Sequence, residues 1–341
     1  MLKSRSKFIS LGGGMRVTAD DVAARAGVSR SAVSRAFTEG ASIQPDKRAH
    51  ILAVADDLGY RPNLMARSLT GGATGLIAVV VGSLSSPYES WFLDILSQGI
   101  RSRGLWPLLV PVSPGQEIEP ALDHALAYQV DGAVIAAGSV NQKLAERCTA
   151  NGAPIVVVGR VLDGGGADSV CCDNRAGMAM VADRLVATGR SRIAWIGGRA
   201  DTFSNVERFD GLTAALAGHG RSLTEMRSGD YSTDSGMVQA LALLTGPDRP
   251  DAIVCGNDAM AIGAVAAARR LGLRVPEDVG ICGFDDIPAA AWEPFSLTTV
   301  ANPVVETVRA SLDLLTRRIA GETAASFTIR LPPTLRIRQS L

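Results

Sequence analysis

Val17-Thr18-Ala19-Asp20-Asp21-Val22-Ala23-Ala24-Arg25-Ala26-Gly27-Val28-Ser29-Arg30-Ser31-Ala32-Val33-Ser34-Arg35 reads as two short helices joined by a tight turn. The Thr18 hydroxyl suits an N-cap, and Asp20 and Asp21 place negative charge in the first turn, where the helix dipole favours it. Gly27 supplies the turn, and Ser29 caps the second helix. Val22, Ala23, Ala26, Val28, Val33 and Ala36 form a small apolar seam, and the alanines among them allow close approach. This is helix-turn-helix spacing. A third helix follows: Pro45 fits its first turn, Ile51, Ala55 and Leu58 share a face, and Gly59 stops it. Asn63 is placed to cap a last short helix over 64–69, before Gly71-Gly72.

The residue types on this unit point to a polyanion. Arg30 and Ser31 open the second helix, the end that enters a major groove in such motifs. An arginine there has the reach for two hydrogen bonds to guanine O6 and N7. Arg35 lies five residues on, within reach of a base or a phosphate. Thr18, Ser29 and Ser34 carry hydroxyls suited to phosphate contacts. The plain alternative is a small helical bundle with solvated arginines. Charge distribution weighs against it. The whole chain balances 34 Lys/Arg with 34 Asp/Glu, but residues 1–75 carry 11 against 6, leaving the remainder 23 against 28. A basic head on an acidic body fits double-stranded DNA as the head's partner.

Outward from the head the pattern changes. From residue 76, apolar runs (76–81, 107–112, 132–137, 154–158, 192–197, 251–255, 279–284) alternate with helical periods (91–103, 119–128, 176–188, 206–218, 235–244, 259–271, 304–320). Strands apolar throughout and alternating with helices imply parallel sheets covered on both faces. A chain of 341 residues fits two such sheets better than one very wide one.

Several function classes are disfavoured. Three histidines stand far apart, without ligand spacing, so no metal is expected. Five scattered cysteines without a CxxC read as buried, reduced thiols of a cytoplasmic protein. No apolar run reaches membrane-spanning length, and the basic N-terminus lacks the apolar core of a signal peptide. Residues 1–15 read as a loose tail, with Met15 an alternative start. No GxGxxG follows a strand, and no P-loop or GxSxG elbow is present, so neither a cofactor nor an enzyme is expected.

Residues 17–35 resemble the DNA-binding head of the LacI/GalR (lac-repressor-like) family, and Arg61-Pro62-Asn63-Leu64-Met65-Ala66-Arg67-Ser68-Leu69 resembles its hinge helix. The resemblance runs over about residues 16–340. It implies that the hinge helices of two subunits pair and push a leucine into the central minor groove. Leu69 matches that leucine, Ala66 the close-contact position and Asn63 the hinge start. A short helix is unstable alone in water, so this one is expected to fold against its twin and DNA.

The resemblance also implies a body related to periplasmic sugar-binding proteins, with a ligand at the strand ends, where doubly wound sheets place their crevice. Arg208, Asn257 and Asp285 match the main polar contacts to a sugar-like effector. Ser86, Tyr88, Arg160 and Tyr231, with Phe92 or Trp292, match its lining. Structural alternatives stand beside these: Asp258 as a helix cap, Asp286 likewise, Arg208 paired with Asp210 or Asp173, and Phe92 and Trp292 as core aromatics. The family often has Asn-Pro-Phe where this chain has Ser86-Pro87-Tyr88, which leaves the ligand open.

The expected organisation is a tail (1–15), an all-α helix-turn-helix domain (16–62), a hinge helix and linker (63–75), and an α/β periplasmic-binding-protein-like body (76–341). Two discontinuous, doubly wound parallel-sheet subdomains make up the body, about 76–160 with 301–328, and about 161–300 with 329–341. The expected function is a homodimeric transcriptional repressor that binds a near-palindromic operator under control of a small sugar. A non-sugar metabolite or partner protein is the alternative effector. A solute-binding α/β protein whose head does not bind DNA is the alternative class.

Overall fold

The computed structural model describes residues 17–38, 40–62, 73–113, 117–136, 142–162 and 166–341. The chain divides into two units between Thr74 and Gly75. In the head, α1 (Ala19–Ala26), α2 (Arg30–Ala36) and α3 (Pro45–Asp57) follow in order. Thr18 and Asp21 form a reciprocal capping box on α1, and Gly27 closes it in the left-handed region at φ 65°, a conformation glycine adopts without steric cost. Val22, Ala23, Ala26, Ala32, Val33, Ala36, Ile51 and Ala55 form the head's buried core, as the apolar seam predicts.

The body runs β1 (Leu76–Val81), α4 (Pro87–Ser102), β2 (Trp106–Pro111), α5 (Ile118–Leu126), β3 (Gly132–Ile135), α6 (Gln142–Ala150), β4 (Ile155–Val158) and β5 (Asp168–Cys172). It continues through α7 (Asn174–Ala187), β6 (Ile193–Gly197), α8 (Phe203–Gly218), β7 (Leu223–Ser228), α9 (Thr233–Leu244), β8 (Ala252–Cys255), α10 (Asp258–Arg270) and β9 (Gly280–Asp285). A 3-10 turn (Pro288–Ala291), β10 (Thr298–Ala301), α11 (Val304–Ile319), β11 (Thr328–Leu331) and β12 (Thr334–Arg336) complete it.

Two six-stranded sheets result, ordered β11-β5-β4-β3-β1-β2 and β12-β10-β9-β8-β6-β7. Pairing is parallel except between β10 and β12. Each sheet with its helices forms a lobe. Strand β1 shows why its residues are apolar throughout: Ile77, Val79 and Val81 face one core, with Phe92 and Leu312, while Ala78 and Val80 face another, with Leu122 and Ile155.

The chain crosses between lobes three times, after β5, after β10 and after β11. The first and last crossings differ from expectation. Strand β5 belongs to the first lobe, so the crossing expected near 160/161 follows Cys172. Its Asp168 is buried and takes two 2.8 Å bonds from Arg318 of α11, which ties the strand to that lobe. Strand β11 pairs with β5, so the crossing expected after 328 follows Leu331.

Candidate nucleic-acid interface and effector cleft

Helix α2 buries Ala32, Val33 and Ala36 and exposes Arg30, Ser31, Ser34 and Arg35. The 3.6-residue period puts these four on one outward face. Arg30 lies 3.8 Å from Asp20, with both side chains solvated, a pairing of little energy. Arg35 Nε donates to Ser31 O at 3.3 Å on its own helix. Both expected phosphate-binding hydroxyls at the helix starts already serve as caps. Thr18 N donates to Asp21 Oδ2 at 2.8 Å and Thr18 Oγ1 to the same oxygen at 2.7 Å, and those bonds hold the Asp21 carboxyl below its usual range. Ser29 Oγ accepts from Ala32 N at 3.3 Å and lies 2.9 Å from Ser31 Oγ. Sequence reading missed Arg48, whose Nε donates to Ala36 O at 2.9 Å and whose Nη2 donates to Thr38 O, placing a cation at the α2 C-terminus. It acts across a turn, where periodicity carries no signal. Asn63, Ala66 and Leu69 lie outside the described residues.

In the body, a polar cluster forms where the two lobes meet. Arg208, on α8, is buried and held in three directions. Nε donates to Asn174 Oδ1 at 2.9 Å, Nη1 to Gly256 O at 2.7 Å and Nη2 to Asp285 Oδ1 at 3.0 Å. Its guanidinium also lies 3.6 Å from the Phe284 ring centroid. Thus Arg208 pairs with Asp285, and Asp210 pairs instead with Arg175 at 2.8 Å. Burial opposes the Arg208 charge, but Asp285 and its other neighbours raise its pKa above the usual value. Burial raises the Asp285 carboxyl, while Arg208 and Asn302 pull it back. The net displacement of Asp285 is upward, and Arg208 and Asn302, both donating to Oδ1, favour its charged form.

Asn302, just past β10, reaches both lobes. Its Nδ2 donates to Tyr88 Oη at 3.1 Å and to Asp285 Oδ1 at 3.4 Å. Tyr88 stacks on Phe92, whose ring is fully buried in the first lobe's core. Burial, and after it Asp285, push the Tyr88 phenol well above its usual range, so it stays protonated.

Tyr231 sits opposite, its Oη 2.9 Å from Thr202 Oγ1 and 3.3 Å from Ser204 Oγ. Its ring lies on Gly198, where an added Cβ would come 2.0 Å from Tyr231 Cζ, so that position tolerates no side chain. Tyr231 (φ 73°) and Asp285 (φ 111°) both hold positive φ, a strain of about 1–3 kcal/mol each that marks over-determined sites.

Several expected residues have other partners. Asn257, not Asp258, caps α10: Oδ1 accepts from Met260 N at 3.0 Å and Nδ2 donates to Tyr231 O at 3.1 Å. Asp258 is buried and accepts from Ile287 N and Thr299 Oγ1. Asp286 caps nothing and pairs with Arg338 at 2.6 Å. Ser86 caps α4. Arg160 follows β4 in the first lobe, and burial lowers its pKa against the opposing charge of Asp201 across the cleft. Trp292 is exposed, stacked on Phe295, and is no core aromatic.

The cluster holds no activated thiol. Burial pushes the Cys172 thiol up to about 12 and Cys171 to about 11, so neither is a nucleophile near neutrality. All five cysteines are free and buried. Among the described residues, no group of His, Cys, Asp and Glu is arranged to hold a metal, and no helix is long and apolar enough to cross a membrane.

Comparison with known proteins agrees with this architecture. Residues 18–63 match the model for bacterial regulatory proteins of the lacI family, and residues 182–341 match the periplasmic binding protein-like domain. The transcriptional regulator CelR of Thermobifida fusca is 31% identical over 335 residues, 95% of this chain and 98% of that protein. Catabolite control protein A of Priestia megaterium is 29% identical over 334 residues, 96% of this chain and 99% of that protein. The lac repressor dimer bound to operator and the anti-inducer ONPF matches at TM-score 0.86 and 26% identity, over 95% of this chain and 99% of that one. A CelR–cellobiose complex matches at TM-score 0.71 and 30% identity, over 95% and 100%. With a helix-turn-helix head, a two-lobed periplasmic-binding-protein-like body and a relative 31% identical over 95% of its length, the chain belongs to the LacI family of transcriptional regulators.

Proposed function

We propose that this regulator is a homodimeric repressor whose operator affinity is set by a small, sugar-like effector bound between the lobes. Asn302 carries the reading: one amide nitrogen donates to Tyr88 in the first lobe and to Asp285 in the second. A ligand that competes for those groups changes how the lobes are held together. Arg208, Asn257 and Asp285 supply the second lobe's polar contacts; Ser86, Tyr88 and Arg160 approach from the first, and Tyr231 supplies an aromatic face. Sugar effectors are also supported by the relative solved with cellobiose.

In the head, Arg30 reads a base, Arg35 a base or phosphate, and Thr18, Ser29, Ser31 and Ser34 line the groove. Hinge residues Asn63, Ala66 and Leu69 pair with their twins and wedge the minor groove. The ligand acts only through its preference for one lobe arrangement. That preference alters the spacing of the two hinges and so the grip on an operator with half-sites about one helical turn apart. A gel shift on the fragment upstream of its own gene, over a salt series and with or without sugars, tests this. Binding that falls steeply with salt and changes with a sugar is expected. Failure to bind any fragment at low salt overturns the reading.

A further inference from the structure

Glu89, in the first turn of α4, has a structural role open to it that it does not fill. It stands three residues after the Ser86 cap, where a glutamate closes a capping box by accepting from the cap's own N–H. Asp21 does this for Thr18. Glu89 does not, because Ser86 N donates to Ser83 O at 3.0 Å instead. Its carboxylate lies against the Gly82 amide at the end of β1, on the side of the cluster that holds Asp285. Oε2 is buried and has no hydrogen-bond partner among the described residues. A buried acceptor left unpaired is costly, and native proteins rarely keep one without a use. Arg208, the buried cation of the cluster, is already committed to three acceptors.

We propose that Glu89 is an effector-binding residue, its Oε2 accepting a hydrogen bond from a hydroxyl or ammonium group of the bound molecule. This rests on the sugar-sensing reading and specifies a contact within it. The cleft then selects a ligand with a donor directed at the α4 N-terminus, and rejects the analogue that lacks it, because a carboxylate would be left bare. Desolvation, followed by the charge of Asp285, raises the Glu89 carboxyl to about 7, with the Gly82 N–H opposing. Tyr88 beside it stays neutral, and the Arg208 charge of the cluster is already paired with Asp285. A ligand donor favours the ionised form, so binding strengthens as pH rises through neutrality.

The test uses the full-length protein. Thermal shift and calorimetric titration are run with D-glucose, D-ribose, maltose, cellobiose and D-glucosamine, at pH 6 and pH 8, on wild type, Glu89→Gln, Glu89→Ala and Asp285→Ala. For a sugar that binds wild type, both Glu89 variants should bind at least about tenfold more weakly. The pH gain of wild type should vanish in Glu89→Gln, which keeps the side chain's size and so its fold. Tighter binding of glucosamine than glucose assigns the donor to an ammonium; equal binding assigns it to a hydroxyl. A sugar lost by Asp285→Ala but bound equally, with the same pH dependence, by wild type and Glu89→Gln overturns the role of Glu89 and leaves sugar sensing standing. If no sugar shifts wild type, the sugar-sensing reading fails and this contact fails with it.

Discussion

Arg330 grips Glu207 through both carboxylate oxygens, at 3.0 and 2.9 Å. The two belong to different lobes: Arg330 lies on β11, Glu207 on α8 beside Arg208. Glu207 also accepts from Asn174 at 3.3 Å, and Asn174 in turn accepts from Arg208. A continuous chain of bonds thus runs from an edge strand of one lobe into the buried polar cluster of the other. Arg330→Ala leaves Glu207 buried with the Asn174 bond at 3.3 Å and a looser pairing to Arg175 at 3.7 Å. The body should lose about 1–3 kcal/mol, since the buried Glu207 carboxylate keeps its desolvation cost without its bidentate donor. Urea unfolding followed by tryptophan fluorescence measures this; an unchanged midpoint contradicts it.

Arg30→Ala should cost about 1–3 kcal/mol at one operator position and relax the preference there. Affinities measured on an operator series mutated one base pair at a time give the answer. A loss spread evenly over all sequences would mean that Arg30 touches only phosphate.

Leu69→Ala should abolish tight operator binding and the accompanying bend, because the wedge that opens the base step is gone. A circular-permutation gel shift reads the bend directly, and an undiminished bend refutes the wedge.

Asp285→Ala should remove the effector response while operator binding persists. The substitution takes away the acceptor shared by Arg208 and Asn302. Operator release by sugar, measured by fluorescence anisotropy, should be lost; a retained response displaces Asp285 from the site.

The raised Glu89 carboxyl also links stability to pH. Its free value is 4.5 and its folded value about 7, so the folded state holds the proton more tightly. This contribution is fully present below pH 4.5 and is lost as pH climbs through 7, by at most about 3 kcal/mol. Glu89→Gln should flatten the stability profile over that window in differential scanning calorimetry. Identical profiles for both proteins would argue against the buried carboxyl.

Sequence alone exposed much of this molecule where one element's residues decide its structure. The caps Thr18 and Ser29, the seam from Val22 to Ala36 and the run from Leu76 to Val81 are legible because capping and burial on two faces leave local patterns. Strand β5 was not legible: its buried Asp168 is compensated by Arg318, 150 positions away. Nor was β7, an edge strand whose residues are nearly all exposed and so carry no apolar run. Of the ligand cluster, Arg208, Asp285 and Asn257 follow recognisable strands or fit a family pattern. Asn302 was missed because it follows β10, whose Thr298-Thr299-Val300-Ala301 did not read as a strand. Glu207 and Glu89 sit inside helices, where a polar residue ordinarily signals solvent rather than a buried partner.

The three crossings between lobes have a mechanical consequence. Two of them are bonded side by side, Asp173 N donating to Leu331 O at 2.9 Å, and tethers joined in this way resist twist more than bending. A joint with one soft mode turns chemically unlike molecules into the same displacement, provided each prefers a particular opening. On the proposed function, a change of effector then requires changes only to the lining side chains, while the three crossings stay as they are.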